Sequence, residues 1–540
     1  MNSYETYYPR PLLKRDSFFS LNGTWTLNGG DIEVPFPPES DLSGYKGELG
    51  TLHYEKEFSL PEGFFKTSDK VILHFGAVDQ VCDVYLNENR LLHHEGGYLP
   101  FSVEITEYLQ ERNLLRVEAV DILDPFYPYG KQSKNPKGMW YTPVSGIWQS
   151  VWIEAFDRKG IDDIRIETDE ESVRFQLKSG CDHYEISFPG YSDTFDSDDI
   201  TIHVEDLHLW SPDDPHLYPV KISNGYDTIE TYFALRCLEA RKVNGHRRIF
   251  LNGKPLLVNG LLDQGYFEKG IFLPERPEDY EKDILNMKEL GFNCLRKHIK
   301  IEPEAFYYYC DRHGMLVMQD MVNSGPYLFF SDTVLATLGL NLKRPIKDRK
   351  RYDFFLQHCK DTIEHLKSHP CIIAYTIYNE GWGQQDAAGT YEILKKLDPA
   401  RLFDSTSGWF TDKKSDFDSY HIYFRNKVLQ GGKNILALSE CGGFIRDIAE
   451  HRSDKGSRWG YGSADSEEAL TDKILEMHEK MVIPSIRNGL SLVVMTQISD
   501  VEGEINGLYT YDRSVCKVNK EKMKEANGRL QEVYENCCKE

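Results

Sequence analysis

The chain has 540 residues, 40% of them hydrophobic and 28% charged, which excludes a disordered polymer and leaves ample length for several buried cores. Its 63 basic and 86 acidic side chains give a formal charge of −23, so nucleic acid, an anionic membrane surface and large polyanions are disfavoured as partners. Eleven cysteines without paired spacing read as reduced thiols, and with the acidic charge they place the protein in the cytoplasm.

The opening MNSYETYYPRPLLKRD lacks an apolar core and a cleavage site, so no secretory signal is expected. No apolar run reaches the ~18 residues of a membrane span. Up to residue 241 the pattern is short strands between turns, as at 51–60, 70–78, 81–91 and 113–121, rich in Val, Ile, Phe and Tyr. Asn87-Glu88-Asn89 is a turn signal. The strand pattern resumes at 160–188 after a break at 157–160. Two all-β domains follow, 1–158 and 159–241, each a sandwich or jelly roll.

From 242 to 540 the rhythm changes to alternating strands and helices. Strands are expected at 253–262, 292–298, 314–321, 371–380, 401–406, 416–424, 434–440 and 490–500. Helices are expected at 277–290, 303–313, 353–368, 386–397, 467–488 and 517–537. Eight strands alternating with helices match a (β/α)8 TIM barrel, whose active site lies at the C-terminal ends of the strands.

Those ends present Asp263 and Gln264 (strand 1), Arg296, Lys297 and His298 (strand 2), Gln319 and Asp320 (strand 3), and Asn379 and Glu380 (strand 4). They continue with His421 and Tyr423 (strand 6), Ser439 and Glu440 (strand 7), and Gln497 and Asp500, then Glu502 and Glu504, after strand 8. Glu380 and Glu440 follow very apolar runs, TIYNE and LALSE, where an unused carboxylate is costly to desolvate. Two carboxylates facing each other across one pit are what retaining glycoside hydrolysis requires, about 5–5.5 Å apart. The alternative is that each ends its strand in a structural pair with an arginine.

Several linked segments resemble glycoside hydrolase family 2, the β-galactosidases, β-glucuronidases and β-mannosidases. SGIWQSVWIE (145–154) is similar to the end of that family's sugar-binding jelly roll. LWSPDDPHLYPV (209–220) is similar to the late strands of its immunoglobulin-like domain. FLNGKPLLVNGLLDQGY (250–266) and CLRKHIKIEPEAFYYYCDRHGMLVMQD (294–320) resemble barrel strands 1 to 3. TIYNEGWGQ (376–384) resembles the acid/base segment, LSECGG (438–443) the nucleophile segment, and TQISDVEGEINGLYTYDR (496–513) the last strand and its loop.

The resemblance implies an N-terminal jelly roll, an immunoglobulin-like β-sandwich and a catalytic TIM barrel. It implies Glu380 as general acid/base, Glu440 as nucleophile and Asn379 as the residue that hydrogen-bonds the sugar 2-hydroxyl. The acid then needs a raised pKa, and the nucleophile must stay ionised, helped by a cation such as Arg296. Asp263, Gln264, His298, His421 and Tyr423 are further candidates for sugar contact. Trp382, Trp409 and Trp459 are candidate stacking platforms. Lys297 either meets an acidic sugar or reaches solvent, and Cys441 is expected to pack.

Family members that cleave glucuronides carry an Asn-x-Lys element after strand 8. Here the place reads Glu504-Ile505-Asn506-Gly507, with no lysine and two flanking carboxylates. A neutral terminal sugar, nominally a β-galactoside, is therefore expected, with β-glucuronidase, β-mannosidase or a non-catalytic sugar-binding protein as alternatives. There is no HExxH, no zinc-finger spacing, no GxGxxG opening a helix, no Walker loop and no GxSxG elbow. No cofactor and no metal are expected. The partner is a glycoside or oligosaccharide, and a homo-oligomer is left open.

Overall fold

A computed structural model describes residues 3–64, 69–335, 340, 344–408, 414–453 and 458–539. Trp409 lies outside the described residues.

The N-terminal region folds as two antiparallel sheets face to face. One orders Phe18–Ser20, Val151–Phe156, Lys70–Phe75 and Phe101–Glu104. The other orders Gly30–Val34, Gly23–Leu27, Thr51–Phe58, Asn113–Val120, Val81–Leu86 and Asn89–Glu95. Alternation drives this: in Thr51–Phe58 the residues Leu52, Tyr54 and Phe58 point inward and their neighbours outward. They pack with Trp25, Leu73, Phe75, Val84, Val117 and Ile153 into one core. Asn87 and Glu88 both have positive φ, 48° and 69°, the two-residue hairpin turn that matches the strand twist.

The second region is a smaller sandwich. Ile161–Thr168, Ser172–Ser179 and Asp199–His203 face Tyr191–Asp196, His183–Phe188, Tyr218–Ser223 and Thr228–Phe233. Phe175, Ile186, Ile222 and Phe233 fill it.

Among the described residues the third region builds a barrel of eight parallel strands: β1 (Val258–Asp263), β2 (Cys294–Lys297), β3 (Leu316–Asp320), β4 (Ile372–Tyr378), β5 (Leu402–Thr406), β6 (Phe417–Ile422), β7 (Ile435–Gly442) and β8 (Leu490–Thr496). Ladders join β1 to β2, β3, β4 and β5 in turn, and β1 to β8, β7 and β6 in the other direction. The seam between β5 and β6 is stitched locally. The Asp416 N–H donates to the Phe403 carbonyl at 2.9 Å, the Asp416 carboxylate accepts from the Phe403 N–H at 2.9 Å, and Ser415 Oγ accepts from the Ser405 N–H at 3.2 Å. A hairpin, Leu238–Val243 and His246–Leu251, straddles residue 242 and joins this sheet where Arg247 pairs with Ile435. Its buried Arg248 donates to the carbonyls of Leu490 and Ile486.

The helix expected over 467–488 is three pieces: α-helix Glu467–Met477, a π turn His478–Val482 and a short helix Ile483–Arg487. Pro484 has no N–H to give to the preceding turn, and the wider π turn absorbs that loss.

Residues 121–145 leave the jelly roll and run over the C-terminal mouth of the barrel. The Tyr129 N–H donates to the Asn323 carbonyl at 3.1 Å and the Tyr129 hydroxyl to the Gly325 carbonyl at 3.0 Å. Trp140 stacks on Trp382, centroids 5.5 Å apart.

Candidate active site

Glu380 and Glu440 stand at the ends of β4 and β7, as the strand register predicts. The chain turns sharply after Tyr378, and Glu380 sits in the left-handed region at φ 47°, ψ 25°. That conformation is costly for a non-glycine residue. Its N–H donates to Ser407 Oγ at 3.2 Å. The result is a carboxyl aimed into the mouth rather than along the strand.

Between the two glutamates lies His421. Its Nδ1 is 2.9 Å from Glu380 Oε1 and 3.4 Å from Glu440 Oε2. Donor atoms of Glu380, His421 and Glu440 all fall within 4.8 Å of one another. Glu440 Oε1 accepts from Arg296 Nη1 at 3.0 Å, and Oε2 accepts a short hydrogen bond from the Tyr423 hydroxyl. Tyr423 also meets Thr496 Oγ1 at 3.0 Å and stacks on Tyr461 at 4.2 Å. Burial pushes the Glu440 carboxyl up. The influence of His421, the Arg296 guanidinium, the influence of His298 and the Tyr423 hydroxyl outweigh it and hold the pKa at about 2. Glu440 is an anion at neutral pH.

Arg296 is fully buried and works as a hub. Its Nε donates to Asp320 at 3.0 Å, Nη1 also to the Ser439 carbonyl at 3.0 Å, and Nη2 to Asn379 Oδ1 at 2.8 Å. Ser407 donates to the same Asn379 oxygen at 2.9 Å. Two donors fix which end of the amide is oxygen, so Asn379 Nδ2 is the end left to donate. His298 Nδ1 is held 2.8 Å from Asp320. Burial and the charge of Lys131 push its pKa down to about 4, so His298 is neutral at pH 7.

The structure thus brings Glu380, Glu440, Asn379, Arg296, His298, His421 and Tyr423 together. Other candidates are placed differently. The oxygens of Asp263 are taken, one by Lys297 Nζ at 2.6 Å and one by the Gly265 N–H at 2.9 Å. Lys297 neither reaches solvent nor faces the pit, because Glu302 at 2.8 Å is its second partner. Gln264 is buried with its Nε2 unpartnered. Trp382 is 1% exposed, with one face against Trp140 and an edge contact to Tyr327, so it backs the wall instead of offering an open platform. Trp459 is 42% exposed and stands edge-on to Tyr461. Cys441 is buried and packed.

Asp320, Ser407, Tyr461 and Lys131 were not singled out by motif reasoning as site residues. Asp320 was visible as a strand end; Ser407, Tyr461 and Lys131 lie in loops whose sequence carries no local signal. Lys131 arrives from the jelly-roll loop, over the rings of Tyr141 and Trp382. Glu502 and Glu504 fasten that loop: Glu502 Oε1 accepts from the Thr142 N–H at 3.0 Å, and Glu504 takes a short hydrogen bond from the Tyr141 hydroxyl.

The profile described as "Glycosyl hydrolases family 2, TIM barrel domain" matches residues 242–433. "Glycosyl hydrolase 2 galactose-binding domain-like" matches 30–141, and "Glycosyl hydrolases family 2" matches 158–236. A β-galactosidase of Thermoanaerobacter pseudethanolicus is 24% identical over 379 residues, 64% of this chain but 47% of that protein. The Homo sapiens β-glucuronidase is 24% identical over 500 residues, 79% of this chain and 70% of that one. Among solved structures, a β-D-glucuronidase of Dictyoglomus thermophilum shares the fold at TM-score 0.76 and 19% identity, covering 97% and 98% of the two chains. A family 2 β-galacturonidase of Eisenbergiella tayi bound to galacturonate does so at TM-score 0.70 and 17% identity, covering 97% and 99%. The jelly roll, the immunoglobulin-like sandwich and the TIM barrel expected from the sequence are the parts these comparisons find, in the same order, and the chain belongs to glycosyl hydrolase family 2.

Proposed function

We propose that the protein is an exo-acting β-glycosidase that releases a terminal sugar with retention of configuration. The observation that carries this reading is the pair Glu380 and Glu440, with an oxygen of each within 4.8 Å of the other. Oxygens that close fit the about 5–5.5 Å carboxyl spacing of retaining enzymes better than the about 6.5–9.5 Å that inverting enzymes need to seat a water. Glu440, ionised and held by Arg296 and Tyr423, attacks the anomeric carbon. Glu380 gives its proton to the glycosidic oxygen as that bond breaks. In the second step water, deprotonated by Glu380, displaces Glu440 from the anomeric carbon. Asn379 Nδ2 donates to the 2-hydroxyl, the contact that strengthens in the transition state. The jelly-roll loop walls one side of the mouth, which favours a single terminal residue over a long cleft. The related proteins carry both β-galactosidase and β-glucuronidase names, which supports the class and leaves the sugar to the pocket. Eleven free thiols support a reducing compartment. Among the described residues no helix is long and apolar enough to cross a membrane.

The cluster Glu380, His421 and Glu440 is also a donor set for a divalent cation. Arg296 argues against that use: its guanidinium is already bound to Glu440 and lies 3.5 Å from His421 Nε2, where it opposes a second cation. Activity that survives exhaustive chelation supports the two-carboxylate reading, and loss restored by a metal overturns it. Glu440→Ala should abolish turnover of nitrophenyl glycosides, and azide should restore it with inverted product. Wild-type rates in that variant overturn the nucleophile assignment.

A further inference from the structure

We propose that Lys131 determines the specificity of this pocket, its ammonium binding the carboxylate of a terminal β-linked hexuronic acid. The proposal rests on the glycosidase reading and names the sugar class for it. Lys131 is 8% exposed. Its Nζ lies 5.7 Å from the ring centroid of Tyr141 and 5.9 Å from that of Trp382. Among the described residues it makes no hydrogen bond and no ion pair. An ammonium at the end of a nearly buried side chain, with no counter-charge beside it, is unfavourable, and ring faces supply only part of the missing attraction.

The backbone around it is built to hold it there. Gly130 has φ 67°, and a Cβ at that position would come 2.8 Å from the Tyr98 hydroxyl and 3.0 Å from the Ile299 carbonyl oxygen, in the loop after β2. Gln132, on the other side, donates to Asp79 at 2.9 Å and Tyr98 at 3.0 Å and accepts from the Val144 N–H at 2.7 Å. The lysine is therefore pinned from both flanks, at the barrel mouth, close enough for its charge to be felt at His298. The indole N–H of the buried Trp382 beside it has no acceptor. An ammonium and an unanswered N–H call for a group that only accepts, and a carboxylate is such a group.

The carboxylates after β8 do not fill this role. Glu502 is held by the Thr142 N–H, Glu504 by Tyr141 and by Asn506 Nδ2 at 3.1 Å, and neither forms an ion pair with Lys131. Residues 504–507 hold no lysine, and the cation near the pocket comes instead from another domain. A charge of −23 repels a long polyanion, but a single carboxylate at the site is governed by its nearest charge, because distant charges are screened within about 8 Å.

The test is hydrolysis of the nitrophenyl β-glucuronide, β-galacturonide, β-glucoside and β-galactoside by the wild type, Lys131→Met and Lys131→Arg. Wild-type kcat/KM should favour a uronide. In Lys131→Met it should fall about 100-fold more on that uronide than on the matched neutral glycoside, as for a truncated buried charge pair, and Lys131→Arg should recover part of the loss. Equal losses on both sugars, or a wild type that prefers the neutral glycoside, overturn the proposal. Calorimetric binding of free glucuronate and galacturonate, against glucose and galactose, reads the pocket without turnover. Uronate binding weakened by Lys131→Met supports the site even if no glycoside is cleaved, and uronates that bind no better than neutral sugars overturn it. Failure of the glycosidase reading shows separately, as equal rates for wild type and Glu440→Ala on every glycoside.

Discussion

Tyr423 is one of the groups that hold the pKa of Glu440 below its ordinary value. Burial works to raise that carboxyl, and the influence of His421, the charge of Arg296 and the Tyr423 hydroxyl lower it to about 2. A nucleophile with so low a pKa stays ionised down to about pH 2, so kcat/KM should show no acid limb from Glu440 until near that pH. Tyr423→Phe removes a hydrogen bond to a charged group, worth about 1.5–3 kcal/mol, or about one to two pKa units. The acid limb should therefore move up in pH by that amount, and a pH–rate profile on an activated glycoside measures it. An unmoved limb counts against Glu440 as the titrating group. Glu380 and Glu440 were legible in the sequence because each follows an apolar strand that ends in a carboxylate. Arg296, His421 and Tyr423 were legible as strand ends. Lys131 was not, because its place depends on how a loop of one domain docks on another, and no periodicity reports that. Asp263 was misplaced for a related reason: a strand-end carboxylate looks the same whether its partner is a substrate or the neighbouring Lys297.

At the scale of elements, one glycine sets how closely a loop of the sandwich approaches the barrel. The helix Glu304–His313 ends at Gly314 with φ 69°, a left-handed cap. A Cβ there would lie 2.6 Å from the Pro212 carbonyl oxygen. Pro212 belongs to the loop whose Trp210 donates its indole N–H to the Asp311 carbonyl at 2.7 Å, and the same Pro212 carbonyl accepts from Lys288 Nζ at 2.5 Å. Gly314→Ala should destabilise by more than about 1 kcal/mol, since both the backbone angle and the space are wrong. Thermal unfolding should begin earlier, and kcat at low temperature should stay near wild type. An unchanged midpoint would mean that the loop yields freely. Most elements were readable from alternation and helical spacing. The break at 478–482 was not, because the apolar spacing continues through it and the π turn is a backbone response to Pro484.

For the whole molecule, Glu154 is one of the buried carboxylates through which acid acts on stability. It accepts from Arg15 at 2.7 Å, Tyr8 at 2.8 Å and Trp152 at 2.9 Å, with Arg10 at 3.7 Å and His74 at 3.8 Å. Burial alone would raise its pKa. The influence of His74, the charges of Arg10 and Arg15 and the Trp152 N–H reverse this and hold it at about 2. A depressed folded pKa contributes stability that is fully present above the unfolded value, about 4.5, and is lost as pH falls toward 2. Arg15 also meets Asp227 of the sandwich at 3.1 Å, so this cluster ties the N-terminal segment and the jelly roll to the second domain. Glu154→Gln should lower the unfolding midpoint at pH 7 by an amount matching about 3–5 kcal/mol, because it breaks a buried ion pair, leaving Arg15 with Asp227 alone and taking from Arg10 its carboxylate. It should also flatten the fall in stability between pH 4.5 and 2. A variant with the wild-type slope in that window would place the acid sensitivity elsewhere.

The loop over the barrel mouth carries a consequence for descent. The groups that make and break bonds sit at the ends of barrel strands, where any shift disturbs the hub at Arg296. The wall that the proposed function sets beside the rest of the sugar hangs from a different domain, fastened by Glu502, Glu504 and a pair of stacked indoles. Insertions, deletions or single changes in that loop can redraw the guest without touching the reacting centre. Chemistry and taste are thus inherited on separate stretches of chain, and a lineage can trade one sugar for another while its catalytic barrel stands still.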